Sequence, residues 1–167
     1  MKLNSFKLIL VIFFLTLTMN NFTSAQNSST LTKLLTNVSG GQKSIASIAS
    51  GKVTIVSFWA TWCEPCKKEQ EAMNNLYSKL TEKSVEYIAV SIDNTKTMAK
   101  VAPYVKSKGY TFPVLIDSNS DIFKALNGDN VPYTVIFNKR GSIVEKHEGY
   151  LKGDEKKIFD KVMSLVK

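Results

Sequence analysis

The chain has 167 residues, a formal charge of +8 and 44% hydrophobic residues, which suits one globular domain with its own apolar core. Its lysines alternate with acidic and apolar residues and form no basic block, so we expect a solvated, mildly basic surface and no nucleic-acid partner. Two cysteines and one histidine are too few for a structural zinc site, which needs about four ligands. We therefore expect no bound metal.

The first 25 residues have the composition of a secretory signal peptide. Lys2 and Lys7 precede an apolar run at 8–17, and small residues around Ala25 suit a cleavage site. An uncleaved membrane anchor is the alternative, but a spanning helix needs about 20 apolar residues and this run has roughly half of them. We predict a signal peptide at 1–25, one domain at 26–167, and an extracytoplasmic or periplasmic location, with membrane tethering as the alternative.

Beyond the signal, apolar patterning and turn residues predict alternating strands and helices. The run at 53–59 is continuously apolar, which is typical of a strand buried on both faces. In chain order we predict this strand, a helix at 64–81, a strand at 85–92, a helix at 95–108, a strand at 112–116, a short helix at 120–126, paired strands at 133–137 and 142–148, and a helix at 153–166. This order predicts an α/β fold, a central mixed β-sheet with helices on both faces.

The segment Trp62-Cys63-Glu64-Pro65-Cys66 lies where the first long strand ends and the first long helix begins. A helix N-terminus carries about half a positive elementary charge and several free backbone N–H groups, and both stabilise a thiolate. The proline suits the first helical turn, where an N–H group has no helical partner. Two thiols three residues apart in this setting indicate a redox-active dithiol.

A Cys-x-x-Cys pair also occurs in zinc sites and in inert structural disulfides. The zinc interpretation lacks ligands, because the single histidine, His147, is far along the sequence. A structural disulfide would close a very short loop and would constrain the unfolded chain little. We therefore favour a reversible Cys63–Cys66 disulfide that works without a further cofactor.

The stretch Ser57-Phe58-Trp59-Ala60-Thr61-Trp62-Cys63-Glu64-Pro65-Cys66-Lys67-Lys68-Glu69 resembles the active-site segment of the thioredoxin superfamily. Within it, Cys-Glu-Pro-Cys-Lys-Lys-Glu is most similar to the extracytoplasmic TlpA/ResA-type thiol–disulfide oxidoreductases, which include reductases used in cytochrome c maturation. The resemblance runs from about Gly40 to the C-terminus and includes Val131-Pro132-Tyr133-Thr134. It implies a thioredoxin-like fold, with an N-terminal β-hairpin ahead of the core and an inserted helix–strand segment before the final hairpin.

The order of the two cysteines suggests their roles. We expect the sulfur of Cys63 to be the more exposed and assign it as the attacking thiolate, with Cys66, nearly one helical turn on, as the resolving thiol. Glu64 and Pro65 lie closest to both sulfurs and should tune the couple, since a negative Glu64 would oppose a thiolate on Cys63 and favour a more reducing potential. Trp62 is expected to flank Cys63 as an apolar contact surface for substrate, whereas Trp59 is expected in the core.

Glu69 lies three residues beyond Cys66 and therefore on the same helical face. It resembles a glutamate that assists proton transfer in the family, and the alternative is an exposed glutamate paired with a lysine. Cytoplasmic thioredoxins carry a buried aspartate on the preceding strand, where this chain has Ser57. Because serine cannot act as that carboxylate, either another acid serves or the proton-transfer step is slower, and Glu69 is the only nearby acid on a plausible face.

Pro132 precedes a predicted strand. Only about 5–6% of X-Pro bonds in folded proteins are cis, so the sequence alone predicts a trans bond. The resemblance implies instead a cis-proline beside the dithiol, with Val131 offering backbone groups to an extended substrate peptide. We interpret His147 as a surface histidine, and Asp93 and Asp117, which end strands, as caps of turns.

These features together predict an exported, monomeric enzyme that reduces protein disulfides and receives electrons from a membrane donor protein. A disulfide oxidase or isomerase is the first alternative, because the same exchange runs both ways. A non-catalytic binding module that uses the groove beside Pro132 is the second. A thiol peroxidase is less favoured, since no second constellation for peroxide is evident around Cys63.

Overall fold

The computed structural model describes residues 29–166. The predicted signal peptide at 1–25 lies outside the described residues, as does the boundary at residue 26. Within residues 29–166, no helix is both long enough and apolar enough to cross a membrane.

One mixed sheet of seven strands organises the described chain. The strands are β1 (Leu35–Asn37), β2 (Gln42–Lys43), β3 (Val53–Trp59), β4 (Val85–Ser91), β5 (Val114–Ile116), β6 (Tyr133–Phe137) and β7 (Ile143–Glu148). Their spatial order is β2-β1-β5-β4-β3-β6-β7. β3, β4 and β5 run parallel, whereas β6 is antiparallel to both β3 and β7. The predicted mixed α/β sheet is confirmed.

Helices in the described part of the chain that accompany the sheet include α1 (Ile45–Ala49), α2 (Glu64–Glu82), α3 (Val101–Lys108), α4 (Asp121–Ala125) and α5 (Asp154–Leu165), with a 3₁₀ turn at Met98–Lys100 before α3. Apolar residues of α2, α3 and α5 pack on one face of the sheet and those of α1 and α4 on the other. Every residue of β3 is buried, because the strand has neighbours on both edges and helices on both faces.

The N-terminal hairpin and the inserted segment implied by the resemblance are both present. β1 pairs with β2 in antiparallel fashion, and the turn between them contains Gly40 and Gly41 at positive φ. The inserted segment comprises α3 and β5. Because β5 pairs with β4 on one side and β1 on the other, the insertion joins the hairpin to the central sheet.

Two elements begin at least two residues later than the sequence predicts, and one short helix was not predicted. The helix predicted at 95–108 begins later, because Asn94 accepts hydrogen bonds from the backbone N–H groups of Lys96 and Met98 and closes a turn there. β5 begins at Val114, after Pro113, which has no N–H group for the sheet. Helix α1 was not predicted, since its five residues are too few for helical periodicity, although Ser44 forms a capping box with Ser47.

Asp117 caps α4 from outside the helix, as predicted for this strand end. The residue at the usual capping position, Ser120, makes no side-chain cap and has a φ of 57°. Asp117 is buried, and its carboxylate accepts hydrogen bonds of 3.0, 2.9 and 3.1 Å from the backbone N–H groups of Asp121, Ile122 and Phe123. It thereby satisfies helix donors that have no partner within the helix.

Replacing Asp117 with alanine should therefore lower the free energy of unfolding by about 2 kcal/mol, because three N–H groups lose their acceptor. Asp117→Asn keeps one acceptor oxygen of similar shape and should lose about half as much. Urea denaturation followed by circular dichroism measures both variants. Equal stability of Asp117→Ala and the wild type would show that solvent replaces the cap.

Candidate active site

The cysteine pair lies at the junction between β3 and α2, as predicted. Cys63 is the N-cap residue of α2, and its Sγ accepts a hydrogen bond of 3.3 Å from the backbone N–H of Cys66. Pro65 occupies the first turn, where its missing N–H leaves no helical bond unmade. The helix N-terminus therefore directs both its partial positive charge and an N–H group at the first sulfur.

The two cysteines form a disulfide, with an S–S distance of 2.07 Å and a Cα–Cα distance of 5.3 Å. Cys63 is 6% exposed and Cys66 is fully buried, so the first sulfur is the more accessible one. This is the order of exposure that the sequence predicts. Across residues 29–166, no cluster of three or more histidine, cysteine or acidic side chains is arranged to hold a metal ion.

A buried aspartate holds the loop that leads into the dithiol. Asp93 accepts hydrogen bonds from the backbone N–H and the hydroxyl of Thr61, at 2.8 and 2.6 Å, and a further one from Ser91 at 2.8 Å. Sequence reasoning treated Asp93 as a simple turn cap and missed this contact. The contact could have been predicted from the strand order. β3 and β4 are parallel neighbours, so the residues that follow their carboxyl ends, such as Thr61 and Asp93, lie at the same edge of the sheet.

The residues around the pair divide into exposed and buried ones. Trp62 is 63% exposed next to Cys63, whereas Trp59 lies in the core. Glu64 is exposed and lies 3.0 Å from the ammonium group of Lys67. Solvent and this lysine both weaken the predicted effect of the Glu64 charge on the Cys63 thiolate.

Glu69 is buried under the sheet, so the alternative of an exposed surface glutamate is wrong. It is 1% exposed, and its Oε1 accepts hydrogen bonds from the hydroxyls of Ser57 at 2.7 Å and Thr134 at 2.9 Å. Ser57 in turn accepts a bond from Gln70, whose amide oxygen accepts one from Tyr87. The strand position that holds an aspartate in cytoplasmic thioredoxins here holds a hydroxyl that binds the helix carboxylate.

Burial controls the protonation of Glu69. Removal from water raises its pKa to about 6, and the hydrogen bonds from Ser57 and Thr134 oppose this rise without cancelling it. A carboxyl with a pKa of about 6 can take up and release a proton close to neutral pH.

Beside the dithiol, the peptide bond between Val131 and Pro132 is cis, as the resemblance implies. The carbonyl oxygen of Val131 lies 3.6 Å from the Sγ of Cys63. A groove of about 490 Å³ extends from this point, and we call it the cis-proline groove; its lining includes Pro65, Val131, Pro132, His147, Asp154 and Lys157. The structure thus places the predicted substrate-contact residues next to the first sulfur.

Comparison with known proteins agrees with this geometry. The model of the AhpC/TSA family matches residues 25–146. The thiol-disulfide oxidoreductase ResA of Bacillus cereus is 41% identical over 96 residues, which cover 58% of this chain and 54% of the relative. ResA of Bacillus subtilis is 35% identical over 127 residues, covering 76% and 68%. Against several ResA relatives, this chain spans little more than half of their length.

A solved structure of an uncharacterized thioredoxin-like protein from Porphyromonas gingivalis has a TM-score of 0.69 and 36% sequence identity to this chain. The match covers 81% of this chain and 90% of the other. The thioredoxin-like architecture inferred from the sequence is therefore shared with an experimentally determined relative.

The buried state of Glu69 makes folding stability depend on pH. Its pKa is about 6 in the folded chain and 4.5 when unperturbed, so the folded state holds the proton more tightly. The stabilisation is complete below about pH 4.5 and is lost as the pH rises through about 6, by about 2 kcal/mol. We expect the stability of the wild type relative to Glu69→Gln to fall by this amount across that range.

Urea denaturation of both proteins at a series of pH values measures this difference. Glu71→Gln serves as the matched control, because Glu71 lies on the same helix with its side chain about half exposed and paired with Lys108. This control should keep the pH dependence of the wild type. A pH-independent difference between wild type and Glu69→Gln would contradict the burial argument.

Proposed function

Because the chain belongs to the AhpC/TSA family and carries a cysteine pair at a helix N-terminus, we propose that it is a thiol–disulfide oxidoreductase acting on protein disulfides. One observation carries the proposal: Cys63 caps α2 directly beside the cis bond of Val131 and Pro132 and at the end of a groove. An inert disulfide would need neither the thiolate-stabilising cap nor a neighbouring groove.

The proposed reaction has two exchanges. In the reducing direction, the Cys63 thiolate attacks one sulfur of the substrate disulfide, and the other substrate sulfur leaves as a thiolate. Cys66 then loses its proton and attacks the Cys63 sulfur, which releases the second substrate thiolate and forms the Cys63–Cys66 disulfide. The N–H of Cys66 that bonds to Cys63 Sγ in the structure supports a thiolate on Cys63 in the reduced enzyme.

Glu69 is the proposed acceptor of the Cys66 proton. Both side chains lie on one face of α2, three residues apart. Its pKa of about 6 leaves Glu69 mostly ionised at neutral pH, so it can accept a proton there. Oε2 makes no hydrogen bond to any other described residue, so this oxygen is free to accept the proton.

The cis-proline groove is the proposed binding site for the substrate polypeptide. Backbone groups of Val131 would pair with an extended peptide in the manner of an added strand. Trp62, the chain neighbour of Cys63, offers an exposed aromatic surface. Substrate binding through backbone groups and apolar contact suits an enzyme that accepts several protein disulfides.

We assign the enzyme to the reducing direction outside the cytoplasm, where a membrane donor protein would have to re-reduce it. The composition of residues 1–25 supports export, and disulfides persist in such compartments unless they are reduced. The ResA relatives are named thiol-disulfide oxidoreductases, which supports the exchange chemistry. The resemblance of the active-site segment to a family that includes reductases used in cytochrome c maturation supports the reducing direction and makes that process the candidate. Disulfide oxidation or isomerisation is the alternative use of the same chemistry.

Cysteine substitutions test the two exchanges. Cys63→Ser should reduce the rate of insulin-disulfide reduction to the uncatalysed level, because the attacking sulfur is gone. Cys66→Ala should instead accumulate mixed disulfides with substrate proteins, which non-reducing electrophoresis of acid-quenched samples detects. Undiminished insulin reduction by Cys63→Ser contradicts the mechanism, and a lack of trapped partners contradicts the role of Cys66.

The reduction potential distinguishes a reductant from an oxidant. For the proposed direction we expect a value close to the reducing end of the thioredoxin-like range, about −270 mV, measured by equilibration with a dithiol redox buffer. A value near about −120 mV would assign the enzyme to disulfide formation. Measurement of Glu64→Gln alongside shows how far the exposed Glu64 charge contributes.

A further inference from the structure

In the disulfide form the pKa of Glu69 is about 6, so at neutral pH this buried carboxyl gives up the proton that it takes from Cys66. Glu69 is 1% exposed, so bulk water does not reach it freely. Its Oε1 is held by Ser57 and Thr134, whereas Oε2 has no hydrogen-bond partner among the described residues. Some neighbouring group must therefore carry the proton from Glu69 to solvent.

Strand pairing places one titratable side chain beside this carboxyl. Ser57 of β3 lies opposite Thr134 of β6, and Thr134 lies opposite His147 of β7. Directly paired residues of antiparallel strands project from the same face, with Cβ atoms about 4.5–5.5 Å apart. Ser57, Thr134 and His147 therefore form one row on the face that α2 covers. The first two members hold Glu69, and the third lies one strand further toward the edge.

His147 connects the interior to the surface. Its Nε2 atom is buried and makes no hydrogen bond to a described residue, while the side chain as a whole is 37% exposed and lines the cis-proline groove. The same nitrogen lies 3.4 Å from Asp154 Oδ2. The ring thus has one buried nitrogen beside Asp154 and also contacts a groove that is open to solvent.

We propose that His147 carries the proton between Glu69 and solvent during the thiol–disulfide exchange. This proposal rests on the proposed function and adds a residue to it. When Cys66 attacks the Cys63 sulfur, the Cys66 proton passes to Glu69 and the substrate sulfur leaves as a thiolate. Glu69 then passes the proton to the imidazole, directly or through one water molecule, and the imidazolium releases it into the groove. Glu69 is left ionised in the disulfide form, and on re-reduction the same route run inward returns a proton to the Cys66 thiolate.

The charges around His147 suit a transient imidazolium. The titratable side chains around it include Glu69 on α2, Asp154 and Lys157 on α5, and Glu148 and Tyr150, which line the groove with it. Glu145, two residues earlier on β7, is paired with Lys161 of α5. Asp154 is buried, and its Oδ1 accepts a hydrogen bond of 2.8 Å from Lys157, while its Oδ2 accepts one of 2.8 Å from the backbone N–H of Leu151. A carboxylate oxygen has a second lone pair, so Oδ2 can still stabilise a positive charge on His147, whose Nε2 lies 3.4 Å away.

The effect of each charge on Glu69 agrees with this arrangement. Beyond burial and the two hydroxyls, a charge on His147 lowers the pKa of Glu69, and the Asp154 carboxylate raises it. The two groups therefore interact electrostatically with the buried carboxyl and oppose each other. A proton moved from Glu69 to His147 stays within one interacting set of side chains.

An aromatic disulfide reagent in stopped flow isolates the relevant step. The first thiolate released from the reagent reports attack by Cys63, and the second reports resolution by Cys66, which passes the proton to Glu69. A pH-indicator dye in the same mixture reports the later release of this proton to solvent. We expect His147→Ala to slow the dye signal by about tenfold or more at neutral pH while leaving both thiolate phases unchanged. Imidazole added to the buffer should restore most of the lost rate in this variant and leave the wild type unaffected.

Two further variants separate proton transfer from a merely structural role. His147→Gln keeps a polar side chain in the row but cannot carry a proton, so it should be as slow as His147→Ala. Lys146→Ala is the matched control, because Lys146 is on the same strand but bonds to Leu126 on the opposite face of the sheet. It should retain wild-type kinetics in both thiolate phases and in proton release.

The outcomes distinguish this proposal from the function on which it rests. If Glu69→Gln is slow in the second thiolate phase but both His147 variants release the proton at the wild-type rate, the exit route is wrong and the role of Glu69 stands. If Glu69→Gln also has a wild-type second phase, proton transfer through Glu69 is wrong as well. Slow proton release by His147→Ala that imidazole does not rescue, beside a wild-type rate for His147→Gln, assigns His147 to packing and overturns the proposal.

Discussion

The hydrogen-bonding register of β3 is the constraint on which the site depends. β3 pairs with β4 on one side and with β6 on the other, so each of its residues has a fixed neighbour in both directions. This register places Ser57 opposite Thr134. It also places Trp59, the last residue of β3, beside the end of β4, so the loop that leads to α2 begins there. There Asp93 binds Thr61 and sets the direction in which the Cys63 loop leaves the sheet.

Much of this arrangement could be predicted from the chain itself, because the deciding signals are local. The apolar run at 53–59 followed by Cys63, Pro65 and Cys66 specifies a buried strand, a helix cap and a dithiol within a few residues. Burial of Trp59 and exposure of Trp62 also follow from their positions before and after the strand end. Elements shorter than two helical turns, such as α1, have too few residues for such a signal.

The less predictable features are contacts between residues distant in sequence. The burial of Glu69 depends on a pairing register that brings Thr134 across from Ser57, and the sequence does not encode that register in any one segment. For the same reason the sequence alone predicts a surface position for His147. In the sheet it is paired with Thr134, which donates a hydrogen bond to Glu69. The cis bond before Pro132 came from family resemblance, since the dipeptide alone favours trans.

The buried carboxylate belongs to α2 and not to β3, which affects how it stays aligned with Cys66. A carboxylate on the strand would be fixed to the sheet, whereas Glu69 and Cys66 belong to the same first turns of α2 and keep their separation if that helix end shifts. The hydroxyls of Ser57 and Thr134 then act as a fixed receptor that holds Oε1. Because neutral hydroxyls compensate a buried charge less than a cation would, Glu69 keeps a pKa of about 6 and remains able to exchange a proton. A salt-bridged carboxylate at this place would be more stable when ionised but a poorer acceptor for the Cys66 proton.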